Sequence, residues 1–186
     1  MKKRNSVPFT MLIIWLVNIL ATCLCLYFYI NIGSVYICYA AIVFGSVAAH
    51  FLIMYISAPI VFLVFRKKYK YDSIWFRQKE FEKKLYRVLK VKEWKTKLPA
   101  YNSKEYSLQF NDMESIIHNM CHAEVVHEVI MLASYLPALF GKVFCNHWLI
   151  LLFSFVFSCT HLSFVIIQRY NRPRIIRIYE KTKQAL

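Results

Sequence analysis

PFTMLIIWLVNILATCLCLYFYI, running from Pro8 to Ile30, contains no Asp, Glu, Lys or Arg. A bilayer's hydrocarbon layer is about 30 Å thick and excludes charge over about 20 helical residues. The stretch therefore predicts a transmembrane helix. Asn31, Ile32, Gly33 and Ser34 follow as a short turn, with Asn and Gly as breakers. A second apolar run, over about 35–65, is long for one crossing. It predicts a tilted helix or a kink at Pro59, whose ring removes a backbone donor. His50 lies in mid-span, where a neutral imidazole satisfied by a neighbouring helix is expected rather than a catalyst. Upstream, Lys2, Lys3 and Arg4 resemble the start of a signal peptide. The apolar run continues to Ile30, however, which favours an uncleaved anchor.

Hydrophobic residues make up 59% of the 186-residue chain and charged residues 18%, and the two kinds are segregated. A soluble domain of this size could not hide so much apolar side chain. The net charge of +14 would point to nucleic acid in a soluble protein. In a membrane protein the positive-inside rule accounts for it, and anionic lipid headgroups or a phosphorylated substrate are the expected partners.

Residues 66–111 form a basic segment, with thirteen Lys or Arg against four acids up to Pro99. Asp72 and Ser73 predict a helix cap, with the helix starting near Ile74. Phe81, Leu85, Val88 and Leu89 recur at helical spacing opposite Lys and Glu, which predicts an amphipathic helix on the membrane surface. Pro99 biases Leu98 away from helix and predicts a turn, and Tyr101 to Asn111 reads as a loop. A third span is expected over about 113–140, capped by Asn111 or Asp112 and ended by Gly141 and Lys142. A fourth is expected over about 147–167, followed by a basic tail, 168–186. Arg172 and Pro173 predict an extended exit from that helix. Ile175, Ile178 and Tyr179 then predict a separate short surface helix.

Lys and Arg number three at the amino terminus, thirteen in the middle segment and six in the tail, against Lys142 alone in the two outside loops. The expected fold is an all-α integral membrane domain with four crossings, surface helices on the cytoplasmic side and both termini cytoplasmic. Of the six cysteines, none forms a Cys-x-x-Cys pair, and most sit within or beside apolar runs as small hydrophobes. Cys145 falls in an outside loop with no outside partner in view, so no structural disulfide is expected.

Candidate chemistry centres on Cys121 to Glu128. Ionisable groups inside a span are costly, which makes function the first hypothesis. Glu124 and His127 are three residues apart and share a helix face, so the carboxylate can orient the imidazole. Such a pair suits general-base activation of a hydroxyl nucleophile. At about 1.5 Å of rise per residue, Glu124 would lie roughly 17 Å along its helix from the cytoplasmic end at Met113. The bland alternative is that these groups pair with arginines of neighbouring helices and fix packing. Glu114, His118 and His122 recur at four-residue spacing and offer a weaker metal reading. Arg169, Arg172 and Arg174 lie among Gln168, Tyr170 and Asn171, where guanidinium groups can bind phosphates through paired hydrogen bonds.

Three strings occur in order: Trp94-Lys95-x-Lys97-Leu98-Pro99, Ala123-Glu124-x-x-His127, and Gln168-Arg169-Tyr170-Asn171-Arg172-Pro173-Arg174. In residues and spacing they resemble the glycosyl-4,4′-diaponeurosporenoate acyltransferase family, over roughly 75–178. The resemblance implies a bacterial membrane enzyme of carotenoid biosynthesis that esterifies a sugar hydroxyl of a glycosylated carotenoid, or related glycolipid, with a fatty acyl group. It implies His127 as base, with Glu124 beside it and no cofactor. Acyl-CoA or an acyl carrier protein would be the donor. Gln168, Arg169, Asn171, Arg172 and Arg174, with Trp94, Lys95 and Lys97, would form the substrate-binding rim. The competing readings are a non-catalytic membrane assembly or regulatory subunit, and a metal-dependent membrane enzyme.

Overall fold

A computed structural model describes residues 7–66, 68–98, 103–141 and 144–184. Among these there is no strand. The helices are α1 (Val7–Ile32), α2 (Val35–Phe65), α3 (Glu80–Val88), α4 (Val91–Trp94), α5 (Met113–Ala133), α6 (Leu136–Leu139) and α7 (His147–Gln184), with a 3-10 turn at Ser103–Tyr106. Three are long and apolar enough to cross a membrane: α1, α2 and α7. The expected Lys142 stop, the Pro99 turn and the basic amino terminus lie outside the described residues.

The chain divides into two compact units. The first takes α1, the start of α2 and residues 129–160. Much of its apolar surface is uncovered: Phe9, Leu16, Leu20 and Ile30 of α1 are all exposed. The Trp15 indole N–H donates to the Ala48 carbonyl at 3.0 Å, and its ring meets Tyr55 at 5.4 Å. Gly45 lets α2 approach Thr22, whose methyl would sit 3.4 Å from an added Cβ. His50 is buried and its ring stacks on Phe157 at 4.0 Å.

A disulfide joins Cys38 to Cys145, against the expectation that Cys145 has no partner. The reason is position along α2. Cys38 lies in its first turn, at the mouth of the helix, rather than deep in the apolar run. Ile42 and Ile150 pack beside it, with Tyr29, Ala138 and Leu149 around them.

The third expected span is not one helix. Ser134 N–H and its hydroxyl both donate to the Ile130 carbonyl, and Tyr135 N–H tightens onto Leu132. α5 therefore closes before Pro137, which has no N–H with which to extend it. α6 is a single turn beyond the break, and Gly141 follows. A Cβ at Gly141 would come within 2.0 Å of the His147 ring, so only glycine fits.

The second unit holds residues 58–128 and 161–186. Its apolar centre is Tyr69, Phe76 and Cys121, flanked by Tyr71 and Val125. Three local expectations are revised here. The helix expected near Ile74 begins at Glu80, with no side-chain cap. Residues 71–77 instead form turns that leave the carbonyls of Trp75, Phe76 and Arg77 open to arginine donors. The extended exit at Pro173 is absent, and α7 runs through it to Gln184. Arg169 and Arg172 are fastened to other elements on its amino-terminal side, which holds the helical path that Pro173 alone would disfavour. Ile175 to Tyr179 accordingly continue α7 rather than forming a separate helix. At the start of α5, Asp112 is the cap: its carboxylate accepts the Ser115 N–H at 2.7 Å.

Candidate functional site

α5 and α7 carry the ionisable residues, and the loop before α3 supplies carbonyls to them. Glu124 is fully buried and shares its two oxygens between two guanidiniums. Arg169 Nη1 donates to Oε1 at 2.6 Å, and Arg172 Nη1 donates to Oε2. Arg169 also grips Glu82 Oε1 through Nη2 at 2.6 Å and Nε at 3.1 Å. Its remaining donors reach the Trp75 carbonyl at 2.9 Å and the Arg77 carbonyl at 3.2 Å. Arg172 donates to the Phe76 carbonyl and lies 5.0 Å over the Phe76 ring. Tyr86 completes the chain by donating to Glu82 Oε2 at 2.8 Å. Burial, and then the hydrogen bond to Glu82, push the Tyr86 phenol well above its ordinary range, so it stays a donor.

Two carboxylates and two guanidiniums thus form a closed, charge-neutral network, the arrangement that makes burial of four charges tolerable. Glu82 was invisible as a site residue in the sequence, where it reads as one charge on a polar helix face. Its partner lies 87 residues away.

His127 does not pair with Glu124. Its Nδ1 lies 2.9 Å from Nδ1 of His161, and its ring stacks on Phe164 at 4.8 Å. His161 is buried on α7, and no local motif flags it. His127, on α5, is half-buried. The face shared by residues 124 and 127 is therefore divided between two partners on α7: the arginines below and the second imidazole above.

The other candidates fall into two groups. Lys95 Nζ donates to Asn171 Oδ1 at 2.8 Å and lies 4.8 Å over the Tyr170 ring. Arg174 crosses the same ring at 4.4 Å and donates to its hydroxyl at 2.8 Å. Gln168 hydrogen-bonds Tyr106, and the Trp94 indole N–H donates to the Leu89 carbonyl at 2.7 Å. Lys97 is exposed. Lys95, Asn171 and Arg174 therefore gather around Tyr170, while Arg169 and Arg172 turn inward to carboxylates.

The metal reading finds no support in the geometry. Glu114 meets His118 at 4.0 Å and accepts from the Tyr179 hydroxyl at 2.8 Å. His122 is instead hydrogen-bonded to Tyr69 at 2.8 Å. Burial, with a lesser push from Cys121, raises the Tyr69 phenol to about 12. Among the described residues no group of three or more His, Cys, Asp or Glu could hold a metal ion.

The sequence model of the CrtO family, described as glycosyl-4,4′-diaponeurosporenoate acyltransferase, matches residues 72–181. The chain belongs to this family. No curated protein and no solved structure matches it. The CrtO match contains α3 to α6, most of α7, the Glu82–Arg169–Glu124–Arg172 network, both histidines of the pair and the Tyr170 cluster. It leaves α1 and α2 outside. Membership indicates an acyltransferase of carotenoid biosynthesis.

Proposed function

We propose that this CrtO-family chain is a membrane-bound O-acyltransferase that moves a fatty acyl group onto a sugar hydroxyl of a glycosylated carotenoid or a related glycolipid, at the inner leaflet. The observation that carries the reading is the family match over a region holding a half-buried histidine whose Nδ1 is already engaged. An imidazole that donates through Nδ1 offers its Nε2 lone pair to a substrate hydroxyl, as general-base activation requires. His127 is the base.

The roles of the other residues follow from their partners. Arg169, Arg172 and Glu124 form the frame that fixes α7 against α5 and the loop before α3, since both Glu124 oxygens and every donor of Arg169 are engaged there. Lys95 and Arg174, with Asn171 between them on Tyr170 and Lys97 nearby in sequence, are the cations that take the phosphates of acyl-CoA or of an acyl carrier protein. Among the described residues Lys95 and Arg174 hold neutral partners, Asn171 and Tyr170, so a phosphate displaces a weak contact rather than an ion pair.

Orientation is supported by the disulfide. Cys38 and Cys145 must lie on one side of the membrane, and disulfides persist on the oxidising, outer side. α2 leaves that side and the chain returns to it at Cys145, so an odd number of crossings falls between them beyond α2. Residues 113–141 make that return, broken at Ser134. Four crossings then place the basic segment and the tail inside, as the positive-inside rule asks. α3 supports an interfacial position as well: Phe81, Leu85 and Val88 are exposed, as are Ile74 and Trp75. The non-catalytic subunit reading draws less support, because both Glu124 oxygens and every donor of Arg169 are already engaged within the chain.

Lipid mass spectrometry of cells making glycosyl-4,4′-diaponeurosporenoate and expressing either wild type or His127→Ala tests the proposal. A lipid heavier by one fatty acyl group, present only with wild type, is the expected result. Identical profiles with both proteins well expressed would overturn it.

A further inference from the structure

We infer that His161 is a positioning residue for the acyl-transfer base, doing for His127 what a carboxylate does in most hydrolytic and acyl-transfer sites. This rests on the acyltransferase reading and adds to it a residue that neither the family description nor the sequence motifs assign.

The argument begins with proton count. Two neutral imidazoles with Nδ1 atoms 2.9 Å apart share one proton between those atoms. One ring must then be the Nδ1–H donor and the other the acceptor, protonated instead on Nε2. Two arrangements satisfy the contact, and they have opposite consequences. If His161 donates, His127 carries its proton on Nε2 and presents an acid to the substrate. If His127 donates, its Nε2 has a lone pair and presents a base. Burial decides which ring meets the substrate: His161 is 3% exposed, whereas His127 is half-buried. Phe164 stacks on His127 at an interplanar angle of 12° and holds the ring plane, and the base role takes the arrangement in which His127 donates from Nδ1.

The chemistry balances on this arrangement. As the acceptor oxygen forms its bond to the thioester carbonyl carbon, its proton passes to His127 Nε2. The carbon–sulfur bond then breaks, and the same proton passes from Nε2 to the departing sulfur. An ester and a free thiol result, and His127 is neutral again. Between the two transfers the His127 imidazolium donates a charge-assisted bond to His161 Nδ1. Because His161 is neutral, it stabilises that cation less than a carboxylate would. The imidazolium remains a strong acid, suited to delivering its proton to the leaving group. Glu124 cannot serve in this place, since both its oxygens are held by Arg169 and Arg172.

The test compares His161→Phe, which keeps ring volume and removes the acceptor, with His161→Asn, whose side-chain oxygen stands near the Nδ1 position. Turnover is measured on purified full-length protein with glycosyl-4,4′-diaponeurosporenoate and a long-chain acyl-CoA. His161→Phe should lower kcat about 100-fold with KM for acyl-CoA within about threefold, and His161→Asn should recover about tenfold of the loss. Wild-type kcat in His161→Phe, when His127→Ala is inactive, overturns the inference and leaves the acyltransferase reading standing. Wild-type kcat in His127→Ala overturns both. The ¹⁵N spectrum of histidine-labelled wild type, assigned with His127→Ala, decides the case even where His161 variants fail to fold. The Nδ1–H tautomer at His127 is expected, and the Nε2–H tautomer contradicts the inference.

Discussion

Arg169 and Arg172 show what one residue's surroundings do to a reading made from its chemistry. Both guanidiniums were expected to hold phosphates, and the family string around them encourages that view. In the structure every donor of Arg169 is committed, and Arg172 is 1% exposed. Removing one member of a buried ion network leaves its partners charged and unpaired, which costs about 3–5 kcal/mol. Glu124→Gln should therefore lower the melting temperature sharply in detergent, and Arg172→Ala should do the same, with activity lost through unfolding. Lys95→Ala and Arg174→Ala should leave the melting temperature almost unchanged and raise KM for acyl-CoA, by about three- to tenfold each, as loss of a partly exposed charge-assisted bond predicts. Steady-state kinetics beside a thermal melt separates the two classes. What was legible in the sequence at this scale was the importance of residues 124, 127 and 168–174. Their pairing was not, because partners 34 to 96 positions apart leave no local spacing signal.

Helices α3, α5 and α7 each depart from local expectation for a tertiary reason. The 72–79 stretch carries good capping residues, yet its carbonyls are used by Arg169 and Arg172, and a helix would have consumed them. α7 passes Pro173 because those same arginines anchor it. A proline in a helix interior costs about 3 kcal/mol through its lost bond and ring clash. Pro173→Ala should thus raise the melting temperature and leave turnover within about twofold, a result that an extended exit at this point would not give. α3 presents Phe81, Leu85 and Val88 outward while Glu82 and Tyr86 are buried, so Glu82 faces the protein and the apolar stripe faces away. A spin label at Val88→Cys should be accessible to oxygen and shielded from a water-soluble nickel relaxant in vesicles. The opposite accessibilities would remove α3 from the interface. Periodicity revealed this helix and its stripe, but not which face would be covered.

Across the whole molecule, apolar run lengths made the membrane class plain, and three helices meet the length and composition of a crossing. The third span expected over 113–140 is not among them, since it carries Glu124, Glu128 and several histidines and breaks at Ser134. The disulfide was missed because Cys38 was read by the hydropathy around it rather than by its place in the first turn of α2. A membrane-impermeant maleimide applied to intact cells should label Cys38 and Cys145 only after reduction. Labelling of either from the cytoplasmic side would reverse the proposed orientation. The central claim is narrower than the topology: one chain brings a glycosylated lipid and an acyl thioester to His127. Lipid mass spectrometry of glycosyl-4,4′-diaponeurosporenoate-producing cells, with wild type against an equally expressed His127→Ala, tests it most directly. The account predicts an acylated glycolipid with wild type and only its unacylated precursor with the variant; the same acylated lipid in both would contradict it.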